Sequence, residues 1–237
     1  MSDQIQQIKD KLRKLKRLDT SFSLFGAQHH RYKLNSTISY SIIQQFENIH
    51  KMTLPADYVA FLMQVGNGGA GPFYGLEPIQ DTLYDDLYHK RPDALLNPGK
   101  PFLHTEPWNL EFQPSADYDE NKDEYEEERK KFEEIYYEKE QMNGVLAICN
   151  FGCAVSLNLV VNGQEYGHIW TDDRGSENGI YPSDELGNKD RITFLDWYEL
   201  WLDNSINEII TTQPPLQTKG SLDMDLTHIK KPWWQFW

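Results

Sequence analysis

The sequence holds only two cysteines, Cys149 and Cys153, in 237 residues. That is too few for a disulfide framework and fits a reducing compartment. Their CNFGC spacing has no second Cys or His pair at ligand spacing, so both read as small residues in or beside a strand. No apolar run approaches the ~20 residues of a membrane-spanning helix, and Met1-Ser2-Asp3-Gln4 carries no apolar signal region. A cytoplasmic location is expected. Positive charge is also scarce: 23 Lys and Arg against 37 Asp and Glu leave a formal net charge of −14. Sequence-independent binding of nucleic acid or of an anionic membrane needs clustered Lys and Arg, so the balance argues against both. It suits a basic partner, or solubility alone. Nucleophile elbow, zinc-protease helix, nucleotide loop and dinucleotide fingerprint are all missing. No metal or other cofactor is called for.

What is present is enough for a core, at 39% hydrophobic and 13% aromatic residues. The organising stretch is Ile148 to Gly175. Val155, Leu157, Leu159 and Val161 alternate with Ala154, Ser156, Asn158 and Val160, the period-2 pattern of a strand with unlike faces. Asn162-Gly163 then signals a two-residue hairpin turn. That turn sets Leu159 opposite Tyr166, Leu157 opposite His168 and Val155 opposite Trp170, all on the core face. Asp172-Asp173-Arg174-Gly175 reads as a polar turn that ends the hairpin, and Gly179-Ile180-Tyr181-Pro182 as a short extended piece.

Around this hairpin the pattern is helical. Ile5, Ile8, Leu12, Leu15 and Leu18 share one face of a basic N-terminal helix, expected to cap the core with its basic residues against the acidic body. Residues 20–35 read as a connector with His29-His30 in solvent. A second helix runs from a cap at Ser36 or Thr37 to His50, with Ile38, Ile42, Ile43, Phe46 and Ile49 inward. A third starts at Pro55 and ends at Gly66-Asn67-Gly68-Gly69, a glycine run that follows a helix and so is not a phosphate loop. Residues 72–79 read as a short strand, and 81–97 as a broken helix. Thr193 caps a last helix that buries Phe194, Trp197, Tyr198, Trp201, Leu202 and Ile209.

Between Asp117 and Glu140 twelve Asp and Glu face five Lys and Arg, half of the chain's net charge. Tyr125, Phe132, Ile135 and Tyr136 form a thin apolar stripe there, so the segment reads as a solvated helix laid on the domain. It is either an acidic surface for a basic partner or a charged insertion. The end of the chain, Pro232-Trp233-Trp234-Gln235-Phe236-Trp237, reads as an aromatic tail that docks on the domain or on a partner.

Leu54-Pro55-Ala56-Asp57-Tyr58, Phe61-Leu62, Asn67-Gly68-Gly69 and Phe73-Tyr74-Gly75-Leu76 together resemble the N-terminal signature of the SUKH superfamily, which groups bacterial immunity proteins with fungal cell-wall synthesis regulators. Phe102, Glu106-Pro107-Trp108-Asn109, the strand 154–161, Gly167-His168-Ile169-Trp170 and Ile192-Thr193-Phe194 with Trp197 and Trp201-Leu202 resemble a bacterial branch of it. The ordered set spans residues 36–210. The resemblance implies an immunity protein that neutralises a cognate toxin, often a nuclease, without catalysis of its own.

The expected fold class is α+β: a mixed, mainly antiparallel sheet with a central hairpin and helices packed on it. Residues 1–35 form the amphipathic helix and connector. Residues 36–210 form the SUKH-like domain with an acidic helical insertion at about 113–142, and residues 211–237 the aromatic tail. The expected partner is a protein, a basic toxin domain. The candidate partner-binding residues are Trp108, Asp172, Asp173 and Glu177 at the exposed end of the hairpin, and Glu124, Glu126, Glu127 and Glu128 on the acidic helix. No catalytic or metal-ligating residue is assigned. Two other readings remain open: a regulatory scaffold for cellular proteins, and a glycan hydrolase using Asp172, Asp173 and Glu177 beside His168 and Trp170.

Overall fold

In a computed structural model that describes residues 1–92, 95–189 and 191–212, a four-stranded antiparallel sheet carries helices on one face and a smaller aromatic layer on the other. The aromatic tail therefore lies outside the described residues, apart from its first two positions. The helices are α1 (Ser2–Leu18), α2 (Ala27–His30), α3 (Tyr40–His50), α4 (Ala56–Gln64), α5 (Lys122–Tyr136) and α6 (Phe194–Thr212). The strands are β1 (Val145–Gly152), β2 (Val155–Val160), β3 (Ile169–Asp173) and β4 (Gly179–Pro182), in the order β1-β2-β3-β4. The fold is α+β.

The main core lies between α1, α4, α6 and one face of the sheet. Ile5, Ile8, Leu12 and Leu15 of α1 are buried against it, at roughly 1.5–3 kcal/mol for each side chain taken out of water. Lys11 of the same helix meets Glu199 and Asp203 of α6 at 2.7 Å each, so this basic residue does face acidic partners. The buried face read for α6 is observed in full. Asp57 links α4 to α6: one carboxylate oxygen accepts from its neighbour's Tyr58 N–H at 2.8 Å, the other from Leu195 N–H at 3.1 Å in the first turn of α6. Tyr198 donates its hydroxyl to Ala70 O at 2.8 Å, tying α6 to the glycine-rich turn.

Several expectations are corrected. The two-residue hairpin turn is Cys153-Ala154, between β1 and β2, with positive φ of 51° and 63° at the two residues. Asn162-Gly163 instead sits in the longer β2–β3 connection. There the Gly163 backbone, at φ +120°, lies so close to Phe102 that a Cβ would come within 2.6 Å of its carbonyl oxygen. The β2–β3 register is accordingly Leu159 with Ile169, Asn158 with Trp170 and Leu157 with Thr171. This is an odd shift from the expected pairing, and it turns Trp170 to the opposite face. There Trp170 packs with Phe102, Val145, Ala147, Val160 and Ile180 in a second buried cluster. Tyr166 is left exposed, and His168 pairs with Glu165 at 3.1 Å.

In α3, Ile43 is buried but Ile42 and Ile49 are 48% and 62% exposed. His50 packs on Phe46 with ring centroids 4.5 Å apart, so the inward edge is Ile43-Phe46-His50. His30 is buried, edge-on to Trp201, and its Nδ1 accepts from Tyr32 N–H at 3.0 Å. Residues 72–79 are not a strand. Phe73 takes a positive φ, and only Leu76 bridges β1, opposite Cys149. The described part of 81–97 forms turns rather than a helix, after a single 3-10 turn at Ile79–Asp81. Cys149 is buried in β1, whereas Cys153 is exposed.

Both outer edges of the sheet are met by irregular chain. Ala147 N–H and Glu77 N–H bond Thr82 O and Ile148 O, at 2.8 and 2.9 Å, along β1. Trp108 and Ile180 exchange two backbone hydrogen bonds, of 2.8 and 2.7 Å, along β4.

Candidate interaction surface

β3 does not turn at Asp172. The strand continues through Asp173, both aspartates are buried at 9% and 6% exposure, and the chain bends only at Arg174–Ser176. This corrects the expectation of an exposed acidic turn. Each carboxylate finds a local donor, which lets the backbone remain in the sheet. Asp172 receives Arg174 in bidentate fashion, with Nε–Oδ1 of 2.8 Å and Nη2–Oδ2 of 2.7 Å. Asp173 accepts from Asn178 Nδ2 at 2.8 Å, and its other oxygen is buried with no partner among the described residues. Burial opposes the charge of Arg174, but its hydrogen bonds to Asp172 and the charge of that carboxylate outweigh it and raise the guanidinium pKa. Arg174 Nη1 then donates to Tyr136 O at 3.1 Å and Glu138 O at 3.2 Å, the carbonyls at the end of α5. A buried ion pair thereby fastens the acidic helix to the end of the sheet.

Stacked rings seat the rest of α5. Trp108, held on β4 by its backbone, stacks on Tyr136 at 5.5 Å, and Tyr136 on Phe132 at 5.0 Å. Tyr136 donates its hydroxyl to Asn109 Oδ1 at 2.8 Å. Phe112 meets Tyr125 and Phe132, and the Arg129 guanidinium lies over Phe112 and Phe132 at 5.2 and 5.6 Å. Arg129 Nη2 also bonds Glu177 Oε1 at 2.6 Å. Of the expected apolar stripe, Ile135 is exposed, and Trp108 and Phe112 supply the surface on which the remainder packs.

The two candidate patches therefore meet, because Arg129 joins Glu177 to α5. Glu124, Glu126 and Glu127 are exposed. Glu124 accepts from Asn121 Nδ2 at 2.6 Å, beside the Asn121 side chain that caps the helix, and Glu127 pairs with Lys131 at 2.6 Å. Glu128 is turned inward: it accepts from Ser115 N–H at 2.8 Å and from the Ser115 hydroxyl, and it holds the loop before the helix. The group weighed for glycan hydrolysis is not assembled. Asp172 is locked to Arg174, His168 sits at the other end of β3, and Trp170 lies in the second core.

A cleft of about 880 Å³ lies beside this surface. It opens between residues 85–91, the Cys153-Ala154 turn, Tyr137 and the Asp172–Gly175 corner. Neither it nor the fastening roles of Arg129 and Arg174 were reached from the sequence, where nothing places residues 85–91 next to β3. Among the described residues no group of three or more His, Cys, Asp or Glu is placed to hold a metal ion, and no helix is long and apolar enough to cross a membrane.

These features define an α+β domain carrying an acidic, aromatic-seated ledge at one end of its sheet. The SMI1 / KNR4 family (SUKH-1) model matches residues 37–186, more than half of the chain, and the protein belongs to that family. Membership supports a non-catalytic immunity or regulatory protein in general, working through a protein partner. No curated protein and no solved structure matches the chain.

Proposed function

We propose that the protein is a cytoplasmic immunity protein that neutralises a cognate bacterial toxin, a basic nuclease domain, by occlusion and charge complementarity. The supporting observation is the anchored ledge. α5 is fixed by Arg174, Arg129 and the Trp108-Tyr136 stack, while Glu124, Glu126 and Glu127 remain in solvent. A rigid acidic face steers a cationic partner and loses little entropy on docking. In this reading Trp108, Glu177 and Glu128 hold the face in shape. Asp172 and Asp173 act beneath it through Arg174 and Asn178.

The test looks beside this gene for an encoded toxin domain and uses that domain; finding none would count against the immunity reading. Co-expression with the protein should restore growth. Changing Glu124, Glu126 and Glu127 together to Gln should slow association about tenfold or more at low salt and flatten its salt dependence. Growth protection with an unchanged association rate would remove the ledge from the interface. No protection, with stable binding to a cellular protein instead, would make the chain a regulatory scaffold.

A further inference from the structure

The cleft beside the ledge has an uneven charge pairing. Glu77 is matched by Lys90 at 2.8 Å, and Asp172 by Arg174 at 2.7 Å. Asp86 accepts the backbone N–H groups of Tyr88 and His89 and meets the His89 ring at 2.5 Å. Asp85 has neither hydrogen bond nor ion pair among the described residues. The cations whose charge acts on it are Arg174, which Asp172 already balances, and Lys139, while Arg91, also in the cleft lining, lies 3.9 Å from Asp86. A carboxylate drawn partly out of water normally gains a donor, and burial here pushes the Asp85 pKa up for want of one. Tyr74, Tyr88 and Tyr137 line the same cleft, and Tyr88 is 82% exposed. Their faces suit a flat cation, which stacks on rings while its N–H groups reach a carboxylate.

We infer that this cleft receives an arginine side chain of the protein partner, with Asp85 as the carboxylate that binds the guanidinium and the three tyrosines as its walls. The inference rests on the reading of the partner as a basic polypeptide and narrows it to one anchoring contact. The cleft adjoins the ledge through Tyr137, which lines it and donates its hydroxyl to Arg174 O at 3.1 Å. On a partner docked along α5, one arginine near the rim of the contact would enter the cleft. Arginine anchors in desolvated pockets are a common source of binding energy at such interfaces.

The test is a titration of the ¹⁵N-labelled protein with Nα-acetyl-L-arginine amide, followed by amide chemical shifts. Nα-acetyl-L-citrulline amide, of the same shape without the charge, is the control. Saturable shifts confined to the cleft, at residues 74–77, 85–91, 137, 152–156 and 172–175, seen with arginine and not with citrulline, are expected. Asp85→Asn should weaken arginine binding about tenfold or more while leaving the rest of the spectrum as in the parent protein. No saturable shift, equal shifts with citrulline, or an unaltered titration in Asp85→Asn would overturn the inference. The larger reading is tested separately. If arginine amide does not bind but the Glu124/Glu126/Glu127 variant still slows toxin association, the cleft fails alone. If arginine amide binds while no toxin is neutralised, the immunity reading fails and the cleft stands.

Discussion

Helices α1 and α5 are both amphipathic and highly charged, yet they are attached by different physics. α1 buries four aliphatic side chains in the main core and adds ion pairs from Lys11 at its margin. α5 fully buries only Tyr136. It is held by stacked rings and by two arginines, one from its own surface and one from the turn that follows β3. The burial that dominates the first kind of attachment is non-directional and is not screened by moderate salt, which touches only the Lys11 pairs at its margin. The second depends on geometry and on charge. A helix fixed by few directional contacts leaves its outer face free of packing constraints, as a surface specialised for a partner requires.

The comparison can be broken most severely at Arg174. Its replacement by Ala leaves Asp172 buried without a counter-charge and frees the end of α5. The expected cost is about 3–5 kcal/mol, read by chemical denaturation, with α5 amides losing exchange protection first. A loss below ~1 kcal/mol would show that the rings alone seat the helix.

Acid acts on the other side. Burial, helped by His29, lowers the His30 pKa from 6.5 to about 4, so the fold favours the neutral ring between Tyr32 and Trp201. The stability this represents is whole above pH 6.5 and is lost as the pH falls from there to about 4. It is on the order of 3 kcal/mol in all. Asp57 and Glu185, whose pKa values burial raises, act in the opposite sense and are present in both proteins compared. A His30→Gln variant should therefore show a shallower loss of stability between pH 6.5 and 4 than the parent. Parallel pH profiles would refute the assignment.

The smallest effect is at Glu177. Replacing it with Gln removes one half-exposed partner of Arg129 and should cost less than ~1 kcal/mol. It should nevertheless raise the exchange of α5 amides near Arg129 and leave those of α1 unchanged. Added salt should reproduce that pattern in the parent protein.

The elements legible in the sequence were those whose burial follows a simple period. Ile5-Ile8-Leu12-Leu15 and Phe194-Trp197-Tyr198-Trp201 announce their helices because every position of the stripe meets the same core. The β2–β3 register was not legible. The strongest local turn signal, Asn162-Gly163, serves the close approach of Phe102, while the actual tight turn uses Cys153-Ala154, a pair with no such preference. That displacement moved Trp170 across the sheet. The candidate site was half legible. Glu177 and the carboxylates of α5 do form one surface, but the arginine that joins them, Arg129, was hidden among acidic residues. Asp172 and Asp173 looked like a turn because a sequence does not show that Arg174 will pair with the first and Asn178 will hydrogen-bond the second inside a strand.

The irregular segments along β1 and β4 also govern how this molecule can associate. A strand at the border of a sheet is a template for another chain's backbone, and it underlies strand addition and fibril growth. Here the residues around Leu76 already occupy one border and Trp108 the other. A newcomer finds few unpaired amides to zip against. Recognition must then run through side-chain chemistry on the faces, where single substitutions can switch partners. A high cellular concentration of the protein carries correspondingly little risk of edge-to-edge polymerisation.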